Sequence, residues 1–206
     1  PDAAFFVSAL EQQIAALEAD GTGFAALLIC PMFLNEGFPD LPDGWLKPVA
    51  EVVRRAGGVL ICDEVQSGFG RTGTHFWAYQ KMDALPDIVT MGKPMANGHP
   101  VGAVVTRPEI MAIFRNSFSY FNTFGGNPVS CAAAMAVLEE IEAADLTANA
   151  LTVGTYARER LSALMERFPV IGNVRGMGLV FGAEMVLDRD SMSPATAYTD
   201  RVVNAM

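Results

Sequence analysis

The 206-residue chain is long enough for one or two domains with a real core, and 51% hydrophobic against 18% charged residues excludes a disordered polymer. A net charge of −9 argues against nucleic acid as a partner, because neutralising phosphates takes clustered lysine and arginine. No apolar run approaches the ~20 residues of a membrane-spanning helix, so no membrane partner is expected.

In chain order, "FAALLIC" (24–30) reads as a buried strand. "DGWLKPVAEVVRRAG" reads as a helix, with Asp43 near its start, Pro48 in its first turn and Gly57 near its end. "GVLICDE" and "PDIVTMG" give a second and a third strand, with a short helix in "THFWAYQKM" between them. "VGAVVT" is a fourth strand. "RPEIMAIFRNS" opens a short helix on Pro108, "NPVSCAAAMAVLEEIEAAD" a long alanine-rich one, and residues 147–168 another. Strands that are apolar throughout and separated by helices imply an α/β fold, a largely parallel sheet covered on both faces. After about residue 168 the texture changes: "PVIGNVRGMGLVFGAEMV" alternates and is glycine-rich, as in antiparallel strands opening a second, small domain. The boundary is placed at 167/168.

The three cysteines, Cys30, Cys62 and Cys131, form no C-x-x-C pair. They are expected to be free, buried thiols in a reducing compartment, the cytoplasm. The two histidines have no H-x-x-x-H spacing, so no metal site is expected. The chain starts at Pro1 without a signal-peptide pattern and stops at "RVVNAM", inside a helical pattern; both ends read as cuts through a larger protein.

In parallel sheets chemistry collects beyond the carboxyl ends of the strands. Two charged residues fall there, Asp63 after "GVLIC" and Lys93 after "DIVTMG", about one crossover apart. Lys93 is one of only three lysines in the chain. Alone, either residue reads as a solvated charge or a turn cap. Together, an amine shielded from water and a carboxylate opposite it suit pyridoxal phosphate, which asks for a lysine at its aldehyde and an acid at its ring nitrogen. A competing signal is "GFGRTG" (68–73), which spells G-x-G-x-x-G with Asp83 and Asp87 downstream, as in dinucleotide sites. The intervening "DEVQS" disfavours it, since the first glycine belongs at the strand's end.

"GVLICDEVQSGFGRTG", "DIVTMGKPMANGHPVGAVV" and "FNTFGGNPVSCAAA", in this order and spacing, strongly resemble the class III pyridoxal-phosphate-dependent aminotransferases of fold-type I. The similarity runs from about residue 24 to the end. The wording is closest to the branch of alanine–glyoxylate aminotransferase 2-like proteins and the phospho-lyases of phosphoethanolamine and phosphohydroxylysine. The resemblance implies that residues 1–167 are part of the large cofactor-binding domain and 168–206 the beginning of the small C-terminal domain. It implies a homodimer. It casts Lys93 as the lysine of the internal aldimine and Asp63 as the acid on the pyridine nitrogen. Val65 would pack against one ring face and Gln66 donate to the ring's phenolic oxygen. Thr123 would reach the phosphate of the neighbouring subunit's cofactor. "VGAVVT" would run antiparallel to its neighbours.

The implied reaction transfers an amino group from an amino acid or amine to a 2-oxo acid; a phospho-lyase acting on a phosphorylated amine, or a non-catalytic family domain, are the alternatives. Two departures stand out. "CPMFLNEGFPDLP" replaces the family's acid-Pro-x-Gln segment, and the family's phosphate cup and ring-stacking aromatic belong to a half that is not in this chain. The 206-residue chain alone is therefore expected to be incomplete and inactive. Arg71 and Arg175 are read as structural.

Overall fold

A computed structural model of the protein describes residues 2–206. Its first sheet has four strands in the order β1 (Ala26–Ile29), β2 (Val59–Asp63), β3 (Ile88–Met91), β4 (Ala103–Thr106). β1, β2 and β3 are parallel, and β4 closes the sheet antiparallel to β3, with Thr90 opposite Val104. The expected parallel sheet and the reversed fourth strand are both present.

A helix α1 (Ala3–Ala19), not read from the sequence, precedes β1; the Asp2 side chain accepts from Ala4 N at its start. The helix α2 (Lys47–Arg55) lies over the sheet. Pro48 occupies its first turn, Arg54 and Arg55 face the negative carboxyl end of its dipole, and Gly57 leaves it at φ +78°. Leu46, Val49, Ala50 and Val53 recur on one face and are buried against Leu60, Cys62 and Met82. Each such aliphatic side chain contributes about 1.5–3 kcal/mol by leaving water. Asp43 does not cap this helix. Leu46 holds the cap position, and Asp43 pairs instead with Lys81.

The expected helix between β2 and β3 shrinks to one turn, α3 (Ala78–Lys81). β4 leads into α4 (Pro108–Ser117), then α5 (Pro128–Ala143) and α6 (Leu146–Met165). Coverage of the sheet is not complete within this chain. Leu28, Val104 and Val105 remain exposed.

The second sheet is antiparallel: β5 (Ile171–Met177), β6 (Val180–Asp188) and β7 (Ser193–Pro194), followed by α7 (Thr196–Ala205). The β5–β6 turn docks on the loop after β2, where Leu179 N donates to Arg71 O over 2.9 Å. The divergent segment after β1 finds its contacts here too. Phe33 packs edge-on against Phe6 and Trp45, and Gly37 O accepts from Arg175 Nε at 2.9 Å. Arg175 also pairs with Glu184, as a structural arginine would. Among the described residues no helix is long and apolar enough to cross a membrane.

Candidate active site

β2 and β3 lie side by side and point the same way, so their carboxyl ends open on one edge of the sheet. Asp63 is the last residue of β2, opposite Thr90 of β3. Glu64 N donates to Thr90 O over 2.9 Å and extends the ladder one bond further. β3 ends at Met91, and Gly92 then starts a run of tight turns to Gly98. Met95 N reaches Gly92 O at 2.6 Å and closes the first turn around Lys93 and Pro94.

Lys93 Nζ donates to Gln66 Oε1 over 3.1 Å. An ammonium only donates, so the amide oxygen must face it, and Gln66 Nε2 is left as a donor. Asp63 Oδ1 accepts from Val65 N at 2.9 Å, which fixes the carboxylate at the start of the 64–67 turn. Val65 lies against Gly92: a Cβ at position 92 would stand 3.5 Å from Val65 Cγ1. Four of the five expected residues, Asp63, Val65, Gln66 and Lys93, thus converge on the adjoining ends of two strands. Thr123 is not among them. It is exposed in the turn that Asn122 Oδ1 organises by accepting from Phe124 N and Gly125 N, and it makes no hydrogen bond to the other four.

Lys93 differs from the other two lysines. Lys47 pairs with Asp83 at 2.7 Å and Lys81 with Asp43, whereas among the described residues Lys93 meets no carboxylate. It is not shielded as expected: its side chain is exposed at the rim of a cavity of about 600 Å³ between its own turn, the Phe69–Arg71 loop, and α5 and α6. Asp63, Val65 and Gln66 lie outside that lining.

Sequence reasoning missed Glu64, which is fully buried. Its Oε2 accepts from Ser67 Oγ at 2.5 Å and its Oε1 from Tyr79 N at 2.8 Å, so it ties both ends of the Val65–Gln66 turn to the core. Burial pushes its carboxyl above the usual range, against the hydrogen bonds from Ser67 and Tyr79. The thiols bear out the free state but not uniform burial. Cys62 is buried and Cys30 half-buried, with both pushed up by desolvation; Cys131, on the outward side of α5, is exposed.

The G-x-G-x-x-G stretch is a packing motif. A Cβ on Gly68 would meet the Trp77 ring at 2.6 Å, and on Gly73 the Leu151 backbone at 2.6 Å. No helix of useful length follows it, Asp83 is engaged by Lys47, and Asp87 accepts from Leu60 N and pairs with Arg107. The dinucleotide reading is therefore discarded.

Parallel strands whose adjoining ends carry an acid and a lysine, closed by an antiparallel fourth strand, make up the fold-type I architecture of pyridoxal-phosphate transferases. The family model described as aminotransferase class-III matches residues 5–204, and the chain belongs to that family. Over all of its length it is 46% identical to the alanine–glyoxylate aminotransferase 2-like protein of Drosophila melanogaster, of which it covers 42%. Over 77% of its length it is 50% identical to the mitochondrial alanine–glyoxylate aminotransferase 2 of Homo sapiens, of which it covers 31%. A solved phospholyase from Arthrobacter, in complex with phosphoethanolamine, superposes with a TM-score of 0.87 at 48% identity, covering 93% of this chain and 45% of that one. The chain spans less than half the length of each.

Proposed function

We propose that this chain forms part of a pyridoxal-phosphate-dependent aminotransferase that moves an amino group from an amino acid or amine to a 2-oxo acid. The observation that carries the reading is the placement of Asp63 and Lys93 on adjoining parallel strand ends, with Gln66 between them in hydrogen-bond reach of Lys93. The donor set suits the cofactor. Asp63 offers Oδ2 to a protonated ring nitrogen, Gln66 Nε2 can donate to a phenolic oxygen, and Lys93 Nζ is a primary amine without a competing acid. Val65 sits in van der Waals reach of position 92, beside the lysine turn, where its methyls can meet a ring face. Bound there, pyridoxal phosphate would supply an electron sink for a substrate carbanion.

The chain's own residues do the rest. Asp63 holds a positive charge at the ring nitrogen through a charge-assisted hydrogen bond. Lys93 Nζ would be the group that holds the cofactor covalently and, when free, would serve as the base that carries a proton. With the amine free, Gln66 Oε1 is its hydrogen-bond partner.

We further propose a homodimer in which Thr123 serves the neighbouring subunit's cofactor. Its support is that the 118–124 loop is apolar and outward-facing, with Phe121 83% exposed. Residues 1–167 then belong to the cofactor-binding domain and 168–206 open the small domain, a division supported by the two separate sheets. The cytoplasm is the proposed compartment, on the free thiols; the Homo sapiens relative is named mitochondrial. Similarity to the Arthrobacter phospholyase favours a second reading, elimination of phosphate from a phosphorylated amine at the same lysine.

The test uses the holoenzyme: reduce with borohydride, digest, and map the pyridoxyl peptide, then assay alanine with glyoxylate beside phosphoethanolamine. Label on Lys93 with amino transfer is the expected result. Label on Lys47 or Lys81 overturns the site, and phosphate release without amino transfer selects the second reading.

A further inference from the structure

We infer that His99 is a positioning residue that locks the Lys93 turn to the loop carrying Thr123. This rests on the cofactor reading above, in which Lys93 serves one subunit's cofactor and Thr123 the other's.

His99 lies six residues beyond Lys93, at the far end of the same run of turns. The backbone between them is stitched by Met95 N to Gly92 O (2.6 Å), Asn97 N to Pro94 O (3.2 Å) and His99 N to Ala96 O (3.0 Å). A shift at His99 is therefore passed back to Lys93 rather than absorbed. On its other side, His99 Nε2 stands 2.8 Å from Ser130 Oγ, in the first turn of α5. Ser130 is only 6% exposed. Asn127 binds it twice, donating from Nδ2 to Ser130 Oγ at 2.9 Å and accepting from Ser130 N at 3.0 Å. The same Nδ2 donates to Phe124 O at 2.9 Å, next to Thr123. A continuous chain of polar contacts thus runs from the lysine turn through His99, Ser130 and Asn127 to the threonine turn. Among the described residues, His99 to Ser130 is the hydrogen bond that joins these two segments.

One placement of the hydrogens satisfies every group in this cluster. Ser130 has one hydroxyl hydrogen, and Asn127 Nδ2 can only donate to its oxygen. The hydroxyl hydrogen is then free to go to His99 Nε2, with the imidazole proton on Nδ1, and the pair is satisfied. The opposite arrangement would leave a buried hydroxyl hydrogen without an acceptor, at a cost. What position 99 must supply is therefore an acceptor, which an apolar residue cannot do and an amide oxygen can.

The test compares His99→Leu, His99→Gln, Ser130→Ala and the Leu/Ala double variant in the holoenzyme and its cofactor-free form. Losing one buried hydrogen bond should speed cofactor release about five- to tenfold in His99→Leu and in Ser130→Ala. The double variant should be no worse than either single one, and His99→Gln should return to within about twofold of wild type. In the cofactor-free form, amide exchange of residues 93–99 and 122–130 should quicken together in both single variants. The inference is overturned if only the segment next to the substitution quickens, if His99→Gln behaves as His99→Leu, or if the single effects add. A wild-type holoenzyme without cofactor on Lys93 would defeat the proposed function instead, and the joint exchange would still decide whether the lock exists.

Discussion

Glu64 offers a sharp trial of how the 64–67 turn is held. Glu64→Leu removes the acceptor of two donors, Ser67 Oγ and Tyr79 N, in a place with no solvent exposure. Each orphaned buried donor costs about 1–3 kcal/mol, so about 2–6 kcal/mol is lost, less whatever is regained by no longer burying a carboxylate. Glu64→Gln behaves differently. Its oxygen can accept from Tyr79 N while its NH₂ donates to Ser67 Oγ, so the change at neutral pH should stay within about 1 kcal/mol. The pH dependence has a definite sign. Because the folded protein keeps this proton to a higher pH than the unfolded chain does, the folded state binds more protons across that interval. Stability conferred by the neutral form is present below the ordinary glutamate value, about 4.3, and is lost as pH rises through the raised folded value. Urea midpoints of wild type, Glu64→Gln and Glu64→Leu across acid to neutral pH measure both effects. The reasoning fails if Glu64→Leu is as stable as Glu64→Gln, or if Glu64→Gln keeps the wild-type fall in stability over that interval.

Asp63→Asn should keep the hydrogen bond to Val65 N but replace a charge-assisted contact by a neutral one, lowering holoenzyme turnover by about tenfold and shifting the cofactor absorbance; an unchanged spectrum and rate would remove Asp63 from the ring nitrogen. Gly154→Ala should destabilise by about 2 kcal/mol or more, because its Cβ would stand 1.8 Å from Gly178 O, and that backbone clash outweighs the ~1 kcal/mol helix preference for alanine; thermal melts decide. The 206-residue chain by itself should bind pyridoxal phosphate weakly and turn over neither alanine nor phosphoethanolamine, since Lys93 is exposed and Thr123 is distant in its contacts; tight, stoichiometric absorbance titration at Lys93 would contradict this.

The strands were legible because four short apolar runs bounded by Gly, Pro and Asp allow little else. The placement of Asp63 and Lys93 at adjoining strand ends followed once the runs were taken as parallel neighbours. Glu64 was not legible: nothing local distinguishes an acid that turns inward to Ser67 and Tyr79 from one facing water, because its partners are set by how the loop folds back. Asp43 shows the same limit. Its position suggested a cap, and a lysine 38 residues away claimed it. The G-x-G-x-x-G stretch misleads for a related reason. Glycine is demanded there by Trp77 and α6, not by a phosphate, and sequence spacing cannot tell one close neighbour from another.

The three lysines state the electrostatic logic of the site. An ion pair favours the ammonium form and holds it in place. Lys47 and Lys81 each have one, in settings where they brace the approach to α2 against the 81–83 turn. A lysine that must bond covalently to a cofactor, let go, and return as a base would be held back by such a partner. Lys93 instead rests on the neutral amide of Gln66, at the end of a strand beside Val65, with Asp63 turned toward its own Val65 N rather than toward Nζ. On the proposed function, the carboxylate meant for a ring nitrogen ends the neighbouring strand and is engaged by Val65 N rather than by the amine. That separation depends on the 63–67 turn, and so on the buried Glu64 that anchors it.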